Sequence, residues 1–78
     1  MALEIRLFAT LRNYFPDHPG GVLSVEATEA ATIDQVIAKL NINPDEIKII
    51  MVNGVQAQPG QALKDGDRVG LFPPVGGG

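Results

Sequence analysis

The group with the clearest capacity for chemistry in this sequence is the main-chain carboxylate of Gly78. The chain has no cysteine and a single histidine, His18, and no residue pair is recognisable as a nucleophile and its base. The final Gly76, Gly77 and Gly78 add little to a fold, because glycine loses the most backbone entropy on ordering. Because they lack a Cβ, these glycines can enter a narrow slot in another protein. The alternative interpretations are that they form a frayed terminus or are the remnant of a linker. We therefore expect any chemistry to occur at Gly78 inside a partner, and the chain alone not to be an enzyme.

The residues before the glycines favour a projecting tail. Residues 68–72 alternate as a strand, and Pro73 and Pro74 end it because proline has no N–H for a neighbouring strand. Two prolines also favour an extended backbone, and six extended residues from Pro73 reach roughly 20 Å. The sequence therefore predicts a globular domain over residues 1–72 and a flexible C-terminal tail, Pro-Pro-Val-Gly-Gly-Gly, over residues 73–78.

The rest of the chain predicts one small α+β domain. Alternating or apolar segments indicate strands at residues 2–8, 23–27, 47–52 and 68–72, with a brief one after residue 54. A helix is predicted from Thr32, where Thr32 and Gln35 fit a capping box and an apolar stripe follows. Asn53-Gly54 predicts a type I′ hairpin turn. One helix with one apolar stripe needs one sheet face to cover, so we expect a mixed sheet of four to five strands with one main crossing helix.

Three segments of the chain are similar to motifs of one known protein family. They are Ile5-Arg6-Leu7-Phe8-Ala9-Thr10-Leu11-Arg12, Leu63-Lys64-Asp65-Gly66-Asp67-Arg68-Val69 and Leu71-Phe72-Pro73-Pro74-Val75-Gly76-Gly77-Gly78. Together they resemble the MoaD family, the small subunit of molybdopterin synthase, a ubiquitin-like sulfur carrier related to ThiS. Members commonly end in Phe-Pro-Pro-Val, one variable residue and Gly-Gly, and Gly76 takes the variable position here. The resemblance covers essentially the whole chain and implies the β-grasp, ubiquitin-like fold.

The resemblance also implies sulfur carriage. A ubiquitin-activating-type enzyme would use ATP to adenylate the carboxylate of Gly78, and sulfur from a persulfide protein would then replace AMP to leave a thiocarboxylate. Gly77 and Gly78 would form the reactive end, and the chain itself would bind no cofactor and no metal. The large subunit of molybdopterin synthase would use two such carriers, in a heterotetramer of two small and two large subunits, to build the dithiolene of molybdopterin.

A docking surface is predicted at the base of the tail. In the β-grasp arrangement the first and last strands are parallel neighbours, and their alternation turns Phe8 and Phe72 away from the helix. The two rings should lie side by side where the tail departs, the arrangement of an interface anchor. The alternative is that a loop covers one or both rings. The expected partner contacts are Phe8, Phe72, Pro73, Pro74, Val75 and Gly76.

The sequence pattern of the predicted strand at residues 47–52 does not show which of its faces is buried. Residues 49–52 are all apolar, so alternation alone gives no answer. Ile50 and Val52 are the candidates to extend the patch.

Composition narrows the range of partners. The net charge is −3 and the six Lys and Arg are scattered, so no basic stripe exists to bind a nucleic acid backbone. No signal-peptide pattern is visible at the start, and the longest apolar run is far too short to span a bilayer. We expect no nucleic acid or membrane partner and a cytoplasmic location.

Other functions of the same chain type stay open. One is a thiamine-pathway, ThiS-type sulfur carrier, although Phe72-Pro73-Pro74 is more similar to MoaD. Another is a ubiquitin-like protein modifier that forms isopeptide bonds through Gly78, since archaeal modifiers have very similar endings. The last is a β-grasp adaptor with an inert tail.

Overall fold

Alternating apolar residues form a mixed sheet of five strands. The computed structural model describes residues 2–18, 20–26 and 32–74. The strands within them are β1 (Ala2–Leu7), β2 (Val22–Glu26), β3 (Ile49–Val52), β4 (Val55–Gln56) and β5 (Arg68–Phe72). Their order across the sheet is β2-β1-β5-β3-β4, with β1 and β5 parallel and the other neighbouring pairs antiparallel. The predicted mixed sheet is therefore confirmed, and β5 lies at its centre.

The predicted helix is α1 (Ile33–Lys39), which separates β2 from β3 in the chain. Its N-terminus is the expected capping box. The Gln35 N–H donates to Thr32 Oγ1 at 3.3 Å, and the Thr32 N–H donates to Gln35 Oε1 at 3.0 Å. Asn41 adopts a φ of 57° just beyond the helix, the left-handed conformation that commonly follows a helix C-terminus. The sequence signals for both ends of the helix are thus confirmed.

Two short 3₁₀ helices account for the shifted strand boundaries. The first is Ala9–Tyr14, and a φ of 52° at Ala9 turns the chain out of β1 after Leu7. The second, Pro44–Glu46, precedes β3. Because the chain is still leaving this turn, β3 begins at Ile49 rather than at residue 47.

The core lies on the face of the sheet that α1 covers. The buried cluster draws on β1, β2, β3, β5 and α1. In the first two strands every second described residue is buried, as the alternation predicts: Leu3, Ile5, Leu7, Leu23 and Val25. Residue 27, the predicted end of the second strand, lies outside the described residues. From α1 come Ile33, Val36 and Ile37, which form the predicted apolar stripe. Period-two strands and a period-3.6 helix thus meet in one core.

Gly21 fixes the loop that leads into β2. Its carbonyl accepts a hydrogen bond from the Leu7 N–H at 2.7 Å. Its φ is +72°, and a Cβ here would lie 2.5 Å from the Leu7 carbonyl oxygen. We expect Gly21→Ala to lower the free energy of unfolding by more than about 2 kcal/mol, because backbone strain and steric overlap add. In a chemical denaturation experiment Gly20→Ala is the matched control, since its Cβ meets nothing within 4 Å. Equal stability of the two variants would contradict the expected strain.

A hydrogen-bonded cluster joins the β3–β4 turn to the start of β5. Asn53 and Gly54 adopt φ values of 52° and 83°, in agreement with the predicted type I′ turn. Asn53 Nδ2 donates to Asp67 Oδ1 at 2.9 Å, and the Arg68 N–H donates to Asn53 Oδ1 at 3.0 Å. The Lys64 N–H donates to Asp67 Oδ2 at 2.8 Å. This backbone donor, followed by the Asn53 amide, holds the pKa of Asp67 below its ordinary value.

The Asp67 carboxylate should make the stability depend on pH in acid. Its pKa is lower in the folded state than in the unfolded state, so its stabilisation is complete above the ordinary value of 3.8 and is lost as the pH falls through the folded value. We expect Asp67→Asn to lose less stability than the wild type between about pH 5 and pH 2. Denaturation midpoints across this range measure the effect, with Asp17→Asn at an exposed loop position as the control. An unchanged dependence of stability on acid in Asp67→Asn would contradict the expected stabilisation by the Asp67 carboxylate.

Candidate functional site

The rings of Phe8 and Phe72 stack against each other at one end of the sheet. Their centroids are 4.2 Å apart and their planes differ by 6°. The parallel register that pairs Leu7 with Leu71 brings the following residues side by side, and the Phe8 N–H donates to the Leu71 carbonyl at 3.2 Å. Both rings are half-buried. The predicted adjacency of the two rings is confirmed, and their role as partner contacts stays a prediction.

Three further residues complete an apolar surface around the rings. Gly70 lies beneath them, and a Cβ there would be 3.3 Å from the Phe72 ring and 3.4 Å from the Phe8 ring. The β3–β5 register places Met51 beside Gly70 and Ile49 beside Phe72. We call this surface, formed by Phe8, Ile49, Met51, Gly70 and Phe72, the tail-proximal patch. Gly70 was not predicted as a site residue, although a glycine inside an alternating strand signals a close approach.

The candidates for extending the patch from β3 were wrong. Ile50 and Val52 are each only 7% exposed and belong to the core. Their antiparallel register with Leu71 and Val69 puts them on the inner face of the sheet. Ile49, 39% exposed, therefore faces outward with Met51.

The chain leaves the sheet beside the patch. The Phe72 carbonyl accepts a hydrogen bond from the Lys48 N–H at 2.7 Å. Pro73, with no N–H to extend the ladder, is half-buried, and Pro74 is exposed. Both prolines thus stand where the sequence predicts the tail to start. Val75, Gly76, Gly77 and Gly78 lie outside the described residues, so their predicted roles and the tail as a separate unit stay predictions.

A groove of about 390 Å³ continues from the patch along the same face of the sheet. Phe8, Phe72, Met51 and Gly70 line it toward the tail, and Asn53, Arg6 and Arg68 line it further along β1 and β5. The groove is thus lined by two charged residues, and both are arginines. Arg6 Nε donates to Glu4 Oε2 at 2.6 Å in an exposed ion pair. The two arginines are 62 positions apart in sequence, and the parallel pairing of β1 with β5 brings them to one surface.

Other chemistry is sparse over the part of the chain that the structure describes. Residues 2–18, 20–26 and 32–74 hold no group of three His, Asp or Glu side chains that could bind a metal ion. No helix within those same ranges is long and apolar enough to cross a membrane. His18 is exposed, and its ring meets the edge of Phe15 at a centroid distance of 6.4 Å. The tail exit and its patch are therefore the feature around which a function can be argued.

This fold and this site together define a ubiquitin-like β-grasp protein, a sulfur carrier or modifier of the ThiS and MoaD type. In the described part of this chain β5 is central to the sheet, one α-helix crosses it, and the chain leaves β5 beside an aromatic pair. The chain belongs to the ThiS family, whose family model matches residues 5–78. The resemblance stated from the motifs is therefore confirmed. No curated protein sequence gives a significant match.

Solved structures of archaeal proteins share the fold over nearly the whole chain. SAMP1 from Haloferax volcanii is 28% identical with a TM-score of 0.74, and the alignment covers 100% of both chains. The Haloferax volcanii HVO 2177 protein is 30% identical with a TM-score of 0.74, over 100% of this chain and 87% of that one. A putative molybdopterin converting factor, subunit 1, from Pyrococcus furiosus is 25% identical with a TM-score of 0.71, over 96% and 99%. The predicted α+β, β-grasp fold is thereby confirmed.

Proposed function

We propose that this chain is a cytoplasmic sulfur carrier for molybdopterin synthesis, acting as the small subunit of molybdopterin synthase. The observation that carries the proposal is the position of the stacked Phe8 and Phe72 rings at the point where β5 delivers the chain to Pro73 and Pro74. An apolar anchor beside a projecting tail suits a protein that docks by its body and reacts at its end. Similarity to the Pyrococcus furiosus protein, described as a putative subunit of a molybdopterin converting factor, supports this pathway.

The proposed chemistry takes place at the carboxylate of Gly78. A carboxylate is a poor electrophile because its charge is delocalised. In the activating enzyme, a carboxylate oxygen attacks the α-phosphorus of ATP and expels pyrophosphate, which gives an acyl-adenylate with a good leaving group. The terminal sulfur of a persulfide protein then attacks the acyl carbon and expels AMP. A thiol cleaves the resulting S–S bond, is itself converted to a disulfide, and leaves the thiocarboxylate on Gly78.

The domain and the tail divide the work in this proposal. The tail-proximal patch binds the partner, while Pro73 and Pro74 start the tail in an extended direction. Residues 75–78 extend at most about 14 Å beyond Pro74. Val75 and Gly76 would line the entrance of the partner's slot, and Gly77 and Gly78 would reach its reacting atoms. The chain supplies no catalytic side chain and binds no cofactor in this scheme, since ATP belongs to the activating enzyme.

Two proteins must then recognise the chain. The first is a ubiquitin-activating-type adenylating enzyme, and the second is the large subunit of molybdopterin synthase, in a heterotetramer of two small and two large subunits. The patch is the natural contact for both, because it adjoins the only route by which the tail leaves the described part of the sheet. The alternative that the family match supports most directly is a ThiS-type carrier that serves the thiamine pathway.

Protein modification is the second candidate function. The similarity to SAMP1 from Haloferax volcanii over both complete chains favours it, because that protein is described as small archaeal modifier protein 1. In a modifier the same adenylated Gly78 would react with the amine of a target lysine, forming an isopeptide bond and releasing AMP. The two functions share activation and differ in the nucleophile that accepts the acyl group.

Intact mass spectrometry separates these functions. The chain is incubated with ATP, a sulfur donor and the candidate activating enzymes of its own genome. A mass gain equal to replacing one oxygen by sulfur, located at Gly78, supports the carrier, and ladders of conjugated proteins support the modifier. Conversion of the cyclic pyranopterin precursor by the large subunit with the loaded chain would assign the molybdopterin pathway. No mass change with any activating enzyme would refute both functions.

A further inference from the structure

We propose that Arg68 selects the partner by pairing with an acidic side chain, set beside an apolar side chain that packs in the groove against Phe8, Met51 and Phe72. This inference rests on the proposed function, because it specifies the chemistry of the protein surface that docks there. The occupant is thus a segment of the partner protein with neighbouring acidic and apolar residues.

The charge of the groove is opposite to that of the chain. The whole chain carries a net charge of −3, yet the charged residues that line the groove are Arg6 and Arg68. With Glu4 included, these three side chains sum to +1, so the remainder of the chain sums to −4. A local positive site on an acidic protein steers and orients an acidic partner surface.

Arg68 is the cation of this pair that is available to a partner. Glu4 lies beside Arg68 in the parallel register of β1 and β5, but its carboxylate accepts from Arg6 Nε at 2.6 Å. Within the described residues Arg68 has no carboxylate within ion-pair distance. Its backbone is held on both sides, since its N–H donates to Asn53 Oδ1 at 3.0 Å and its carbonyl accepts from the Asn53 N–H at 2.8 Å. The exposed guanidinium therefore projects from a fixed point.

The apolar part of the groove lies next to this cation. Gly70 is two residues along β5 from Arg68 and places no side chain on the outer face, while Phe8, Phe72 and Met51 stand around it. A partner side chain that packs in this part of the groove contacts two aromatic rings, and its neighbour comes within reach of Arg68. Arginine is well suited to this role because its planar fork binds a carboxylate through two parallel hydrogen bonds.

Binding measurements with charge variants test the inference. The partners are the purified adenylating enzyme and large subunit from the same genome, each titrated against the full chain by calorimetry. We expect Arg68→Glu to weaken binding at least about tenfold, and Arg68→Gln to weaken it less. Lys39→Glu is the matched control, because it makes the same charge change on the exposed side of α1, which lies on the opposite face of the sheet. This control variant should alter the affinity by less than about twofold. Raising the salt concentration should weaken the wild type more than Arg68→Gln.

The outcomes distinguish this inference from the proposed function. If the wild type binds and is loaded with sulfur, but Arg68→Glu binds both partners as well as the wild type does, the inference fails and the function stands. If the wild type binds neither protein and gains no sulfur, both fail. If Arg68→Glu instead abolishes self-association of the chain, the occupant is a second copy and the choice of partner is wrong. Circular dichroism of each variant confirms that it is folded.

Discussion

Removal of Gly77 and Gly78 is expected to abolish sulfur loading while leaving the thermal unfolding midpoint unchanged. The hydrogen-bonded ladder of the described domain ends at Phe72, and its buried core ends at Leu71, so we expect the domain to fold without Gly77 and Gly78. The carboxylate of the shortened chain would end at Gly76 and stop roughly 7 Å short of the reacting atoms. A reaction that needs near-contact between the reacting atoms cannot tolerate such a displacement. Intact mass after incubation with ATP, activating enzyme and sulfur donor measures the loss.

Alanine variants refine this result. Gly77→Ala and Gly78→Ala keep the length of the tail and add a methyl group, which a slot shaped for glycine would exclude. We expect loading rates at least about tenfold slower for both, with unchanged stability. Gly60→Ala is the control, because its Cβ meets nothing within 4 Å. Normal loading of both tail variants would show that no narrow slot receives the tail.

Replacement of Phe72 by alanine is expected to weaken partner binding by about thirtyfold, since central aromatic anchors contribute at least about 2 kcal/mol to an interface. The variant should remain folded. The Phe72 ring is only half-buried, and its stack on Phe8 contributes about 1 kcal/mol. Calorimetric titration with the adenylating enzyme and with the large subunit measures the change for each partner. If Phe72→Ala binds both partners as the wild type does, the patch is not the docking surface.

A matched control separates anchoring from general loss of apolar surface. Val55 is 69% exposed and lies on β4, outside the tail-proximal patch. Val55→Ala should therefore leave the affinity for both partners within about twofold of the wild type. The double variant of Phe8 and Phe72 should lose less binding energy than the sum of the single variants, because the stacked rings form one contact unit.

Local signals predicted most of the elements, because each depends on a few adjacent residues. The capping box at Thr32 and the Asn53-Gly54 turn form hydrogen bonds or backbone angles that the same short segment determines. The alternation in β1 and in β5 separates the buried face from the exposed one for a similar reason. The strand boundaries were less accurate, since the 3₁₀ helices beside β1 and β3 compete with strand pairing for the same residues.

The features that were predicted wrongly or not predicted at all depend on the register between distant strands. Four consecutive apolar residues in β3 satisfy either face, and the pairing with β5 decides that Ile50 and Val52 are buried. The groove likewise needs the β1–β5 register to bring Arg6 toward Arg68 across more than half of the sequence. Gly70 gains its role only when the rings of Phe8 and Phe72 lie over it. Such features result from tertiary contact, which periodicity in a single segment does not contain.

The central position of β5 has a mechanical consequence. The tail is the direct continuation of a strand that is hydrogen-bonded to β1 on one side and to β3 on the other. A pull on the C-terminus would act along β5 and load both ladders in shear, so many hydrogen bonds would resist together rather than open one at a time. A tail attached to β2 or β4 at the sheet edges could be peeled away with its strand. The fold thus allows another protein to bind and pull the C-terminus while the domain stays folded.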